Sequence, residues 1–438
     1  GGSMLTANSA AILTDAFPAD RRGFALGINQ VAALAGMFIG LVLGGVLAEI
    51  DWRAIFWINV PVGLFGTVWA YLKLRDSGVR RRERIDWWGN LTFAVGLSGL
   101  LIGITDGIHP YKDHPMGWTS PVTLVLLIGG TALLGAFAVV ERSVSEPMFR
   151  LDLFRIRAFT AGNVALLASS IARGGIQFML VIWLQGIWLP LHGYDYADTP
   201  LWGGIYLLPL TFGFLISGPI SGTLSDRFGA RTFATAGALI SALSFVGLLL
   251  LPIDFPYWAF ALLTATNGVG MGMFAAPNTA AIMSSVPADE RGVASGMRAT
   301  FMNAGRLLSI GVFFSLMIVG LAGSLPTTFA LGLQSQGVPA TVARQVASLP
   351  PVSSLFAALL GVNPVEQLLA PTGTLRTLSP AQADALTGKT FFPHLIAAPV
   401  HQGLLVAFSF AAALSLFAAL ASLLRGGRYM APVIAEID

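Results

Sequence analysis

The sequence predicts an all-α membrane protein made of two pseudo-symmetric helical halves with a two-span insert between them. Three observations predict it. Only 11% of the 438 residues are charged while 55% are hydrophobic, and a soluble domain carries about 25% charged residues. So few charges cannot cover a water-facing surface. The apolar residues also gather in runs of roughly 20, the length that crosses a hydrocarbon core about 30 Å thick. They do not alternate with polar residues as barrel strands do. Finally, one polar turn with its flanking helices recurs far along the chain.

The apolar runs place spans at 23–48, 54–74, 87–106, 121–140, 158–188, 201–224, 231–250, 258–283, 292–321 and 402–424, ten in all, and a partial span at 1–16. Orientation follows from Lys and Arg, which stay on the cytoplasmic side. Seventeen of the 25 lie in loops 17–22, 73–86, 141–157, 225–231 and 284–291 and the tail 425–438, against five in the other loops. Arg80, Arg81, Arg82 and Arg84 make the strongest cytoplasmic marker. The long segment 322–401 then faces outward. Its stretches VSSLFAALLG (352–361) and FFPHLI (391–396) read as short amphipathic helices on the outer surface or over the pathway.

The repeat fixes the architecture. Asn8-Ser9-Ala10-Ala11-Ile12 matches Asn278-Thr279-Ala280-Ala281-Ile282, and Pro18-Ala19-Asp20 matches Pro287-Ala288-Asp289. The register continues through Arg22 and Arg291, Gly23 and Gly292, Ala25 and Ala294, Gly27 and Gly296, Gly36 and Gly305. Span 292–321 lies eight spans after 23–48, an even number, so the copies cross in the same direction. Parallel repeats of this kind build two-halved transporters. Halves of six spans leave two to spare, and 87–106 and 121–140 fit that insert. The expected domains are 1–74 (the rest of the first half), 75–157 (basic linker and insert) and 158–438 (second half). By this count three spans are expected to precede Gly1.

The glycines carry the next signal. Gly36, Gly40 and Gly44 recur every four residues and strip one helical face of side chains, so that a neighbouring backbone can approach. Gly27, Gly36, Gly40, Gly44 and Gly45 together resemble motif C, the antiporter signature of the major facilitator superfamily; Leu41 stands where that motif has proline. The stretch Trp52 to Gly63 resembles the WRxxFxINVPxG segment of the fourteen-span drug:proton antiporter family within it. Gly222, Asp226, Arg227, Gly229 and Arg231 resemble motif A, G-x-L-x-D-R-x-G-x-R, on a cytoplasmic loop. The resemblance covers essentially the whole chain.

This resemblance implies the major facilitator fold and alternating access in the cell membrane, with protons as the coupling ion and no other cofactor. It implies export of small hydrophobic or amphipathic compounds. Export or flipping of one specific lipid or metabolite is the second reading, and a non-transporting sensor a distant third. Span 23–48 is expected to pack through its motif C glycines on 201–224, at Gly213, Ser217 and Gly218. Asp226 is expected near the start of span 23–48 as a cytoplasmic latch, with Arg21 and Arg22 as partners and Asp20 as that helix's N-cap.

Polar groups inside spans are the candidates for substrate or coupling: Arg173 with Gln177 on one face, Asn29 and Gln30, and Arg298, Asn303 and Arg306. An arginine at mid-membrane costs about 2.5–3.5 kcal/mol on insertion scales, so it faces a cavity or a partner. No full span carries Asp or Glu near its centre; Asp15, Glu49, Asp106 and Glu141 sit near span ends. Cysteine is absent, which excludes disulfides, thiolate metal sites and cysteine catalysis. All five histidines fall in predicted outward loops, and HPYKDH (109–114) has poor metal spacing. No nucleotide-binding loop or metalloprotease motif occurs, and a net charge of +3 gives no nucleic-acid signal. The sequence therefore predicts a transporter, not an enzyme.

Overall fold

The computed structural model describes residues 2–426 apart from 19, 52, 74–85, 113, 115, 145–146, 197, 349–353, 355–356 and 358–362. Arg80, Arg81, Arg82 and Arg84 lie outside the described residues, as does VSSLFAALLG except for Ser354 and Ala357. The first part of the chain forms α1 (Gly2–Ala16), α2 (Arg22–Ile50), α3 (Ala54–Trp57) and α4 (Asn59–Lys73). The insert is α5 (Trp87–Ile108) and α6 (Pro121–Ser143). The second part runs through α7 (Arg157–Leu191), α8 (Thr199–Phe228), α9 (Ala230–Leu249), α10 (Tyr257–Ser284) and α11 (Arg291–Ala322). Four short helices follow, α12 (Leu325–Ser335), α13 (Ala340–Ala347), α14 (Val365–Leu369) and α15 (Pro380–Thr387), before α16 (Phe391–Leu423). Among the described residues eight helices, α5 to α11 and α16, are long and apolar enough to cross a membrane.

Local chemistry sets the ends and breaks. Asp86 caps α5 by accepting the Gly89 N–H at 2.8 Å, and Pro121 opens α6, where a missing N–H costs nothing. Gly229 ends α8 with φ at 94°, a conformation that favours glycine. A π-helical turn at Leu184–Trp188 precedes Pro190 in α7, easing the backbone toward a residue that cannot donate. The predicted span 54–74 is divided at Ile58 into α3 and α4.

The insert pairs through glycine. Gly130 lies so close to the Leu100 N–H that a Cβ there would sit 2.7 Å from it. A strap, 147–156, fastens the insert to the second half. Glu141 accepts the Phe149 N–H at 2.9 Å, Phe149 packs among Phe93, Phe137 and Phe301, and Arg150 pairs with Glu290 at 2.5 Å.

The second half holds the main core. Trp183 is 1% exposed and packs on Phe255, Phe260 and Phe408 at centroid distances of 4.8, 6.1 and 6.0 Å. That core continues without a break into the outer segment through Phe329, Leu333, Val365 and Leu386. Two expectations change here. FFPHLI is the first turn of α16, which starts at Phe391 rather than near 402. His394 and His401 accordingly lie in a helix, and the His401 Nε2 is 3.0 Å from the Leu251 carbonyl. The apolar run continues upstream through Ile396, Ala397 and Val400, all buried, and Pro393 is tolerated in a first helical turn.

Trp183→Ala is expected to cost about 3–5 kcal/mol of stability. It should lower the midpoint of thermal unfolding in detergent by several degrees, and Trp183→Phe by much less.

Candidate functional site

The two halves meet where α2 begins and α8 ends. A Cβ on Gly23 would overlap the Gly222 carbonyl, and one on Gly222 would overlap the Gly23 carbonyl. At Gly27 a Cβ would stand 2.9 Å from the Pro219 Cα and 3.0 Å from the Gly218 oxygen. Backbone touches backbone here because Gly23, Gly27 and Gly222 put no side chain between the helices.

Asp226 completes the seam. The Gly23 N–H donates to its Oδ1 at 2.9 Å and the Phe24 N–H to its Oδ2 at 3.2 Å. These are free amides at the start of a helix, where a carboxylate also meets the positive end of the dipole. The cap of α2 thus comes from the other half. Asp20 is exposed and does not cap; the residue at the N-cap is Arg21, which makes no side-chain capping bond. Arg22 turns back instead, its Nε donating to the carbonyls of Thr14 at 2.9 Å and Phe17 at 3.2 Å. Arg291, its counterpart in the repeat, pairs with Asp15 at 2.6 Å and joins α1 to α11. Ala10, Ala11, Leu26, Ala280 and Met283 form an apolar cluster beside these contacts.

The motif C stripe lies elsewhere. Gly36 and Gly40 are exposed, and among the described residues nothing stands within 4 Å of where their Cβ atoms would be. Nine residues separate Gly27 from Gly36, which is about two and a half helical turns, so the two face opposite ways. Leu41, Gly44 and Gly45 continue α2, but their surroundings lie outside the described residues. Of the three positions expected to receive the stripe, Gly213 packs on Val269 and Ala265, and Ser217 on Gly272, both within the second half. Gly218 meets Gly27. Arg227 is in the last turn of α8, while Arg231 is exposed in the first turn of α9.

The intramembrane polar residues divide. Arg298 is 6% exposed and shares the helical face of Gly305, which meets Ser170 of α7. Arg173 is half-buried. The Nε atoms of Arg173 and Arg298 are buried without a hydrogen-bond partner. Arg306, Asn303 and Gln177 are exposed, and Asn29 and Gln30 half-buried. Ser309 ties α7 to α11 beside them: it accepts the Gly175 N–H at 2.6 Å and donates to the Ile171 carbonyl. Near the span ends, Asp106 accepts the Thr123 hydroxyl at 2.7 Å. His192 stacks on Trp188 and faces Asp254 at 3.4 Å. No group of three metal-binding side chains occurs among the described residues.

One buried pair escaped the sequence reading. Arg425, counted there as a charge in a wet tail, is 5% exposed and donates to Asn278, whose amide donates to the Gly162 carbonyl at 3.1 Å. Burial holds the Arg425 guanidinium down at about 10, below the ordinary arginine range. Asn278 opens the repeat segment, which was the available signal. Arg425 had none, because a basic residue after a last span reads as a topology marker.

The family model of the Major Facilitator Superfamily matches residues 1–310. The chain is 28% identical to the tetracenomycin C resistance and export protein of Streptomyces glaucescens, over 81% of this chain and 64% of that protein. It is 28% identical to the riboflavin transporter RibZ of Clostridioides difficile, over 72% and 65%. It is 30% identical to the multidrug resistance protein Stp of Mycobacterium tuberculosis, over 79% and 61%. The chain therefore spans just under two thirds of the length of these relatives. Eight membrane-length helices among the described residues make it a multi-pass membrane protein. With 310 of its 438 residues matching the family, the chain belongs to the Major Facilitator Superfamily.

Proposed function

We propose that the chain forms part of a proton-coupled secondary transporter that exports hydrophobic or amphipathic compounds by alternating access. The observation that carries this reading is the α2–α8 seam, in which one half caps a helix of the other through Asp226. A cytoplasmic closure must be firm in one state and separable in the next. Backbone-to-backbone packing provides the fit, and hydrogen bonds to a charged group are worth only about 1.5–3 kcal/mol each, so the seam can release. Proton coupling and multidrug-type substrates follow from the drug:proton antiporter resemblance and from relatives named for resistance and export. A second reading, export of one defined metabolite, is favoured by the relative named as a riboflavin transporter. Efflux of several unrelated dyes supports the first reading, and efflux of a single compound class the second.

Gly27→Leu is expected to lower the melting temperature and reduce dye efflux to background, because its side chain would fill the seam. Gly40→Leu, which meets no described residue in this conformation, should leave the melting temperature unchanged and still abolish efflux, as the stripe packs in the opposite state. Normal efflux from Gly40→Leu would make that stripe ordinary surface. Asp226→Asn should cut efflux severalfold with normal membrane expression, and Asp226→Glu should recover part of it. Unchanged efflux in Asp226→Asn would remove the latch from the mechanism.

A further inference from the structure

Three arginines stand at the contact of α7 with α11 without any counter-charge. Among the described residues Arg173, Arg298 and Arg306 make no ion pair and no side-chain hydrogen bond. The charged neighbour that acts on both Arg173 and Arg298 is Arg306, a like charge. Two of them lie deep in their spans. Arg173 is sixteen residues into α7 and Arg306 fifteen into α11, roughly 22–24 Å along each axis. The helices cross at this level, where a Cβ on Gly174 would stand 3.0 Å from the Arg306 carbonyl. The two guanidinium groups therefore flank one crossing.

A largely apolar cleft of about 240 Å³ lies between α5 and α11 and begins beside Arg306. Leu101, Ile104 and Ile108 line one wall and Leu307, Ile310 and Phe314 the other. Leu307 follows Arg306 directly, and Ile310 lies one turn further on. Cation and apolar wall are thus held side by side on one helix. Cations within a membrane span and without a carboxylate are stabilised when an anion joins them, and guanidinium groups bind planar oxyanions best.

We propose that Arg173, Arg298 and Arg306 receive the anionic group of an amphipathic organic acid, a carboxylate or sulfonate, with its apolar body in the adjoining cleft. This narrows the substrate class of the exporter reading and rests on that reading only for the step of transport. Binding is therefore tested apart from efflux.

The test compares dodecanoate, dodecanol and dodecyltrimethylammonium as ligands of the purified protein in phosphatidylcholine vesicles. Dodecanoate is expected to bind about tenfold or more tightly than either of the others. Arg306→Gln and Arg173→Gln should each remove that preference while leaving dodecanol binding unchanged, which shows that the variants are folded. Arg306→Lys should retain part of it. Equal affinity for the three ligands would overturn the proposal, and so would Gln variants that still prefer dodecanoate. Displacement of dodecanoate by a few mole per cent of phosphatidylglycerol would overturn it for a soluble acid, assigning the arginines to a lipid headgroup. A dodecanoate preference with no efflux of any compound would sink the exporter reading and leave this site standing. Efflux of neutral and cationic dyes with no dodecanoate preference would do the reverse.

Discussion

The start of α2 has no cap of its own, and the joining of the two halves depends on that deficit. The first amides of a helix need an acceptor. Here the acceptor is Asp226 of the second half, at 2.9 and 3.2 Å from Gly23 and Phe24. For the carboxylate to reach, the helices must touch, and they touch because Gly23, Gly27 and Gly222 present no side chains. The glycine seam and the borrowed cap are one device: either alone leaves a buried polar group unpaired or a gap at the interface.

The repeat shows how the halves have diverged around this device. Gly292 and Gly296 of α11 correspond to Gly23 and Gly27 of α2, yet nothing described lies within 4 Å of where their Cβ atoms would be. Arg22 donates to carbonyls of its own half, whereas Arg291 reaches across to Asp15. Deeper in, Asn29 of α2 stands where α11 has the buried Arg298. One copy of the helix is specialised for a backbone seal and the other for charge.

The spans were legible because a hydrocarbon core filters sequence by length and hydropathy, a signal that needs no tertiary information. Predicted 87–106 and 292–321 differ from α5 and α11 by at most two residues at either end. The long outer segment was less legible, since FFPHLI is apolar enough for a surface helix or for the first turn of a span. Only packing of Phe392, Leu395 and Ile396 into the core decides it. The site was legible in part. Asp226 could be placed near α2 from the repeat and motif A, but Asp20 could not be excluded as the cap, because the sequence does not reveal where α2 begins. Assigning the seam to Gly36 and Gly40 followed the spacing of the motif, and helical phase puts these opposite the contact. Arg425 was illegible because burial of a charge beside Asn278 depends on the end of α16 turning inward.

The insert offers the last constraint. Its two helices are bonded to the second half at several points: Glu141 to the strap at Phe149, Phe149 to Phe301 of α11, Arg150 to Glu290, and Gly311 against Ile104. Against the first part of the chain, its only covalent link lies in 74–85, outside the described residues. A rocking motion between halves can therefore carry the insert with the second half at no cost in these contacts. What such a motion must break is short and specific: the α2–α8 glycine seam, the two amides on Asp226, the Asp15–Arg291 pair and the small apolar cluster around Leu26. All of these lie at one end of their helices, the end that the basic loops predict to be cytoplasmic. An opening at that end would have to release these contacts, whereas the Trp183 core and the outer segment packed on it share one continuous apolar cluster.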